Sequence, residues 1–412
     1  HLVINSGKWG IDASVAPRIL NNTIAHSSGY GLYLNNQSHP QVEGNTFLQN
    51  GISGLYLTGS SAPTVRNNTF TRNKAYAVEM TAESKPQFSG NNAFDNTYNG
   101  VKVSGTVASA TTWDADLVYV AHAVTIPSDG CLTLSPGAIV KFYSGINWTV
   151  NGPLIAEGTV SAPIIFTSLR DDEYGGDTNN NGDASLPTAG YWGTITIGST
   201  ASASRFQHVV VRYGGDPTIK VYQSALSVAS SVLEVNKRAL QFDQSTGVVT
   251  GTQFLSNTEY GLYETGSGLI VNDNEFRWNK RGFYVRTATA AHALILENVF
   301  ESNTEYALYT DPASLPYIGG TNTFVNNGTN AVWVENGTLS KNASLHSGAV
   351  YRIDSLSVGA GTTMTVEANT VIKFASTSSN LTVYGTLQVS GTVTDTVYFT
   401  SLKDDSVGGD TN

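Results

Sequence analysis

The chain has 412 residues, 41 of them glycine, and only 13% are charged, about half the usual share for a soluble domain. That excludes a large helical protein, because Asn, Ser, Thr and Gly stand where helix surfaces carry Lys, Arg, Asp and Glu. With 22 basic against 32 acidic residues, the net charge of −10 leaves no basic footprint for nucleic acid.

Alternating apolar segments run throughout and exclude disorder, and no apolar run reaches the ~18 residues that would cross a bilayer as a helix. The single cysteine, Cys131, allows no internal disulfide. The first residue is His1 and not Met, which leads us to expect a processed or excised piece. Length alone would allow two or three domains, but internal repeats divide the chain differently.

Residues 1–110 carry a short repeat. Pro17, Pro40, Pro63 and Pro86 are 23 residues apart, as are Asn22, Asn45, Asn68 and Asn91. The apolar pairs Leu32/Leu34, Leu55/Leu57, Val78/Met80 and Val101/Val103 keep the same step. Segments such as Gly54-Leu55-Tyr56-Leu57 alternate with period two, and Gly and Asn supply the corners. Such a period, with about three short strands each, predicts one coil of a parallel β-helix. A leucine-rich repeat has a similar period but needs consensus leucines and a helical half, which are missing. The repeated Asn is read as an inward amide ladder between coils. The residue between each inward pair is Tyr33, Tyr56, Glu79 and then Lys102, an outward column that ends in an adjacent-rung charge pair.

Residues 111–215 form a β-rich segment with an acidic motif, Asp171-Asp172-Glu173-Tyr174-Gly175-Gly176-Asp177, continuing as D-x-N-x-N-G-D from Asp177. Oxygen ligands at alternate positions, with Gly for a sharp turn, suit calcium, with Asp171, Asp172, Asp177, Asn179, Asn181 and Asp183 as expected ligands. The twelfth position is Thr188, so this is no EF-hand; the expected role is to pin a long excursion from the coils. A solvated acidic turn is the plainer alternative.

Residues 216–343 return to coils, with Phe254, Phe276, Phe300 and Phe324 in step and Asn274, Asn298 and Asn322 two residues before the last three. Their outward column is Tyr263, Tyr284, Tyr309 and Trp333. Together with Tyr33 and Tyr56 these rings could be a sugar- or partner-binding platform, or a stabilising ladder. Catalysis finds little support: Arg66 shares a column with Leu20, Glu43 and Ser89, Lys280 and Arg281 read as solvated turn charges near Glu275, and Asp311 and Glu335 lack partners. The histidines are scattered without metal spacing. Sequons occur at Asn21, Asn36, Asn67, Asn147, Asn327, Asn336, Asn342 and Asn380.

Residues 344–412 begin the next β-rich segment. Residues 118–142 match 350–374, and FTSLRDDEYGGDTN at 166–179 matches FTSLKDDSVGGDTN at 399–412. A unit of about 233 residues is therefore repeated in tandem, and the chain is expected to be a window of about one and three-quarter units. The N-x-F coils resemble the right-handed parallel β-helix repeats of pectate-lyase-like and NosD-like proteins. The Leu-Thr-Leu-x-Pro-Gly-x-x-x-Lys-Phe stretch with Phe-Thr-Ser-Leu-x-Asp-Asp resembles modules of large secreted bacterial and archaeal surface proteins.

The resemblance implies an all-β solenoid with ~23-residue coils in tandem units, on a cell surface or outside the cell. Its expected role is structural or adhesive, with calcium as cofactor and end-to-end self-association into a rod or filament. A glycan or other cell-surface partner is possible in this reading, and no enzymatic activity is expected. The alternatives are a carbohydrate-binding or polysaccharide-degrading β-helix and a trimeric spike.

Overall fold

A computed structural model describes residues 3–5, 7–286 and 292–412; His1 lies outside them. The chain forms two compact units, residues 1–215 and 216–412, and each is a parallel β-solenoid. Among the described residues there is no α-helix, only the 3-10 turns Gly182–Ala184 and Pro312–Ser314. Among the described residues no helix is long and apolar enough to cross a membrane.

In the first unit each coil contributes three short strands. Thr23–Ala25, Thr46–Leu48, Thr69–Thr71 and Asn92–Phe94 stack in parallel, as do Leu32–Leu34, Leu55–Leu57 and Tyr76–Thr81, and Arg18–Leu20, Gln41–Glu43, Thr64–Arg66 and Gln87–Ser89. Register pairs equivalent residues, Leu32 with Leu55 and Leu55 with Val78, so one buried apolar row runs from coil to coil. Phe47 lies on Phe70 at 4.8 Å and 7°. In the second unit Phe254, Phe276, Phe300 and Phe324 stack at 4.8–5.1 Å with interplanar angles of 10° or less. Parallel rungs force this repetition: a side chain that fits one coil must tolerate its own copy one strand spacing away.

Corners are built by a residue in the left-handed region followed by an inward Asn. Asn21, Gly44, Asn67 and Gly90 have φ between 54° and 66°, conformations open to Gly and Asn. The next residue enters the ladder. Asn45 accepts on Oδ1 from the backbone N–H and Nδ2 of Asn22 at 2.9 and 3.2 Å, and donates to Asn68 Oδ1 at 3.1 Å and to the Ile19 carbonyl at 2.7 Å. Asn68 and Asn91 repeat the pattern. Each interior amide is thus satisfied by the coils above and below, as a buried polar group must be.

A second ladder, absent from the sequence reading, runs through Asn50, Asn73 and Asn96 to Asn99. The second unit has the same pair of rows. One runs through Asn274, Asn298 and Asn322, the other through Asn236, Asn257, Asn279, Asn303 and Asn327 to Asn330. Asn327 is therefore buried in a ladder and is no glycan acceptor, correcting its sequon reading.

Replacing Asn68 by Ala removes together the acceptor of the Asn45 backbone N–H, the amide donor to the Val42 carbonyl and one of the two Asn68 donors to Asn91 Oδ1. The expected loss is at least about 3 kcal/mol in chemical denaturation, against less than about 0.5 kcal/mol for the exposed Lys74→Ala. Equal losses for the two variants would contradict the ladder's role.

Candidate functional site

The acidic motif and the outward aromatic column were the sequence's two candidates, and they share one sheet face. In the first unit the outward register runs Tyr33, Tyr56, Glu79, Lys102, Val120, Lys141, Thr167. The second unit runs Tyr263, Tyr284, Tyr309, Trp333, Arg352, Lys373, Thr400. The acidic motif folds over the Lys141 end of the first column.

There the carboxylates have protein partners. Asp171 is buried: it accepts from Thr167 Oγ1 at 2.5 Å and from the Glu173 N–H at 3.2 Å, and Arg212 Nη1 lies 3.5 Å away. Asp177 caps its own turn, accepting from the N–H groups of Asn181 and Gly182 at 3.1 and 2.7 Å. Asn179 and Asn181 both donate to Ser185 Oγ, and Asp183 is exposed in the Gly182–Ala184 turn.

Lys141 supplies positive charge to this loop. Its side chain is wholly buried, Nζ donates to the Gly176 carbonyl at 2.6 Å, and Asp172, Asp171 and Asp177 act on it electrostatically. Burial outweighs that attraction and brings the ammonium down to about 8. Asp172 is pushed up, first by burial and then by the charge of Asp177.

Calcium takes about six to eight oxygens. In this motif Asp172 Oδ1 and Asn179 Oδ1 are buried without a partner, whereas both oxygens of Asp171 and of Asp177 are already engaged. Among the described residues no group of three or more His, Cys, Asp or Glu side chains is arranged for a metal. Of the expected ligands, Asp172 and Asn179 thus keep an open buried oxygen, and Lys141 and Arg212 stand beside the carboxylates as counter-charges.

What the motif does is close the ladder. The carbonyl of Thr178 accepts from the Asn99 N–H at 2.7 Å, and that of Asp177 from Asn99 Nδ2 at 3.3 Å, at the last amide of the second row. Thr178 is buried. Gly175 and Gly176, at φ 72° and 67°, lay the chain against the sheet, and a Cβ on Gly175 would come within 2.6 Å of Val118. The second unit repeats this strap with its own residues. Lys373 donates to Gly409 O at 2.5 Å, Thr400 to Asp404 at 2.5 Å, and Asn330 N–H to the Thr411 carbonyl at 3.0 Å.

The aromatic columns are ladders of rings. Tyr263 and Tyr284 lie 4.8 Å apart at 6°, and Tyr284 and Tyr309 5.2 Å apart at 10°. Trp333 tilts out of the stack by 63° at 5.4 Å, and the Arg352 guanidinium lies 3.6 Å from its ring centre. In the first unit Tyr33 and Tyr56 are 5.4 Å apart, with Tyr30 on Tyr56 and Trp9 on Tyr33. The stacked faces are turned toward neighbouring rings, so the columns present mainly edges and hydroxyls. Burial and then Tyr263 push the Tyr284 hydroxyl up to about 12, and burial and then Glu335 raise that of Tyr309, so both stay protonated donors.

Beside the second column lies a groove of about 520 Å³. Arg281, read from sequence as a solvated turn charge, lines it: it sits on Tyr260 at 4.8 Å and bridges Glu305 at 2.5 Å and Glu259 at 3.0 Å. Lys280 joins the same two glutamates at 3.8 and 3.4 Å. Asp311 lies 3.8 Å from Arg286, and Glu335 acts on Tyr309, so neither acid lacks a partner. The Glu79–Lys102 pair closes at 3.1 Å, and Arg66 meets Glu43 at 3.5 Å.

Residues 3–112 match the family model described as a right handed beta helix region. Neither the curated proteins nor the solved structures give a match.

For the strap, Lys141→Met should lower the melting temperature, while calcium or a chelator should leave wild type unchanged. Because the folded Lys141 releases its proton near pH 8 and the unfolded one near pH 10.5, the unfolded chain holds more protons between these values. Wild type should gain stability over Lys141→Met as pH rises from 8 to 10; thermal melts across that range give the sign directly.

Proposed function

We propose that this chain, a right-handed β-helix over the coils that match the family and a parallel solenoid in both units, is a structural or adhesive protein of an extracellular surface. Its units would stack end to end into a rod or filament. One observation carries the reading: the whole device of coils, twin asparagine ladders and lysine-pinned strap occurs twice, about 233 residues apart, with the interior polar rows satisfied by the coils themselves. Such repetition is what nearest-neighbour stacking stabilises.

The acids in register are matched by neighbouring cations, as in the Arg277 contacts with Glu275 and Glu301, which suits a scaffold better than a general acid–base pair. Calcium is not part of this reading, since the strap supplies its own counter-charge.

Carbohydrate binding is the second reading, favoured by the open groove beside Trp333. A glycan array of the intact chain tests it, with loss of any signal in Tyr306→Ala expected if the groove is responsible.

For the first reading, electron microscopy and light scattering over increasing concentration should show end-to-end association. Monodisperse single molecules at every concentration would overturn it.

A further inference from the structure

Corresponding strands of the two units carry opposite exteriors. In the first unit Arg18, Gln41, Thr64 and Gln87 stand in register, each one residue before a buried Ile19, Val42, Val65 or Phe88. This outward row is polar: Arg18 Nε donates to Gln41 Oε1 at 3.1 Å, and Gln41 Nε2 to Glu43 Oε2 at 2.7 Å. In the second unit the corresponding row is Val248, Ile270, Leu294 and Tyr317, each one residue before a buried Val249, Val271, Ile295 or Ile318. Val248 is 39% exposed, Ile270 43% and Tyr317 47%, and Leu294 is half-buried.

The row is unbroken and its flanks carry no charge. The other outward positions of these strands are Thr246 and Gly268 on one side and Thr250, Asn272, Leu296 and Gly319 on the other. Tyr317 is laid across Gly319, where a Cβ would meet its Cε1 at 2.4 Å, and the His346 ring lies 4.4 Å away. The largest side chain of the row thus has its place before any partner arrives, which lowers the ordering cost of association. Single exposed apolar residues are ordinary on a protein surface. Four in register, where the sister unit keeps four polar ones, make a continuous stripe about 14 Å long at the strand spacing of ~4.8 Å.

We propose that this stripe is a lateral docking surface for a second copy of the chain. A two-fold axis along the strands, between the rungs of Ile270 and Leu294, brings two stripes face to face with their solenoid axes antiparallel. Val248 then meets Tyr317 and Ile270 meets Leu294, and the same contacts recur across the axis. Size supports this register: the smallest side chain of the row faces the largest, so the two layers keep an even separation. A two-fold along the solenoid axis would instead set Tyr317 on Tyr317 and Val248 on Val248.

Charge supports a second copy as the partner. The chain carries a net charge of −10, so two copies repel over most of their surface, and the uncharged stripe is where they can approach. The stripe is small beside the ~800 Å² per partner of a standard interface, so association is expected in the micromolar-to-millimolar range. The inference goes beyond the end-to-end reading and does not rest on it.

Sedimentation equilibrium of the intact chain from about 1 µM to 1 mM tests the proposal. Wild type should self-associate. Ile270→Lys and Leu294→Glu, each alone, should weaken that association at least about tenfold, because each buries an unpaired charge against an apolar side chain. An equimolar mixture of the two variants should recover it, since the antiparallel register sets the new cation against the new anion. The combined variant Val248→Arg, Ile270→Gln, Leu294→Thr and Tyr317→Gln, which writes the first unit's row on the second, should behave as the single variants do. Circular dichroism and melting should stay as in wild type, because these side chains point outward. End-to-end association does not use the stripe and survives in every variant, so the two proposals fail separately. The lateral proposal is overturned if wild type does not self-associate, if Ile270→Lys associates as well as wild type, or if the mixture does no better than its separate components.

Discussion

Stacking identical coils places identical side chains one strand spacing apart, and that constraint decides which residues can be used inside. Apolar side chains satisfy it by simple contact, as Phe276 does between Phe254 and Phe300. A polar interior side chain must be both donor and acceptor along the axis. Asn offers this in a short, rigid side chain: an oxygen that faces the coil on one side and an NH2 that faces the other. With two Asn rows per unit, the corners that would otherwise bury unpaired carbonyls become hydrogen-bonded columns, as in the Asn73 bond to the Phe47 carbonyl. The low charge of the whole chain follows. Most positions face a core, a rung neighbour or a corner, and each is served better by Asn, Gly, Thr or an aromatic ring than by a charge.

A ladder must also end. At its last amide the next identical coil is missing, and the strap substitutes for it with main-chain carbonyls, those of Thr178 and Asp177 in the first unit. Holding an irregular segment against a sheet requires that its own polar groups be met. Asp171 and Asp177 do this locally through turns, and Lys141 does it from the sheet beneath by donating to the carbonyl of Gly176. A buried lysine is costly alone, but three carboxylates nearby offset part of that cost.

Most of the fold was legible in the sequence because period, register and repeat are one-dimensional properties. The Pro17, Asn22 and Leu32 series each announced the coil length, and the outward columns followed by counting. The Asn50 row has the same 23-residue step and went unread, since periodicity does not say which of two rows points inward. The strap's own contacts lay out of reach for a physical reason. Asp, Asn and Gly at alternate positions serve metal loops and self-capped turns equally well, and the partners that hold the segment are distant in sequence: Lys141, 30 residues before Asp171, and Asn99, 78 residues before Asp177. Ring orientation was likewise out of reach: counting placed Tyr284 between Tyr263 and Tyr309 but could not show that their faces are spent on one another.

The two units share the constraints just described and differ where those constraints are silent. Ladder amides, strap glycines, pinning lysine and inward apolar rows are kept, because each is fixed by the coils around it. The outward column is free to change, and it does: Glu79, Lys102 and Val120 in one unit stand as Tyr309, Trp333 and Arg352 in the other. In the first unit that surface is closed by its own tyrosines and an ion pair, a self-sufficient exterior. In the second, Thr329 and Ala375 stand where the first has Tyr98 and Tyr143, and Trp333 and Arg352 line a groove beside Tyr306, which stays as buried as Tyr76. In a scaffold of this kind specific recognition can be written on the outward column alone, without disturbing a single hydrogen bond that holds the coils together.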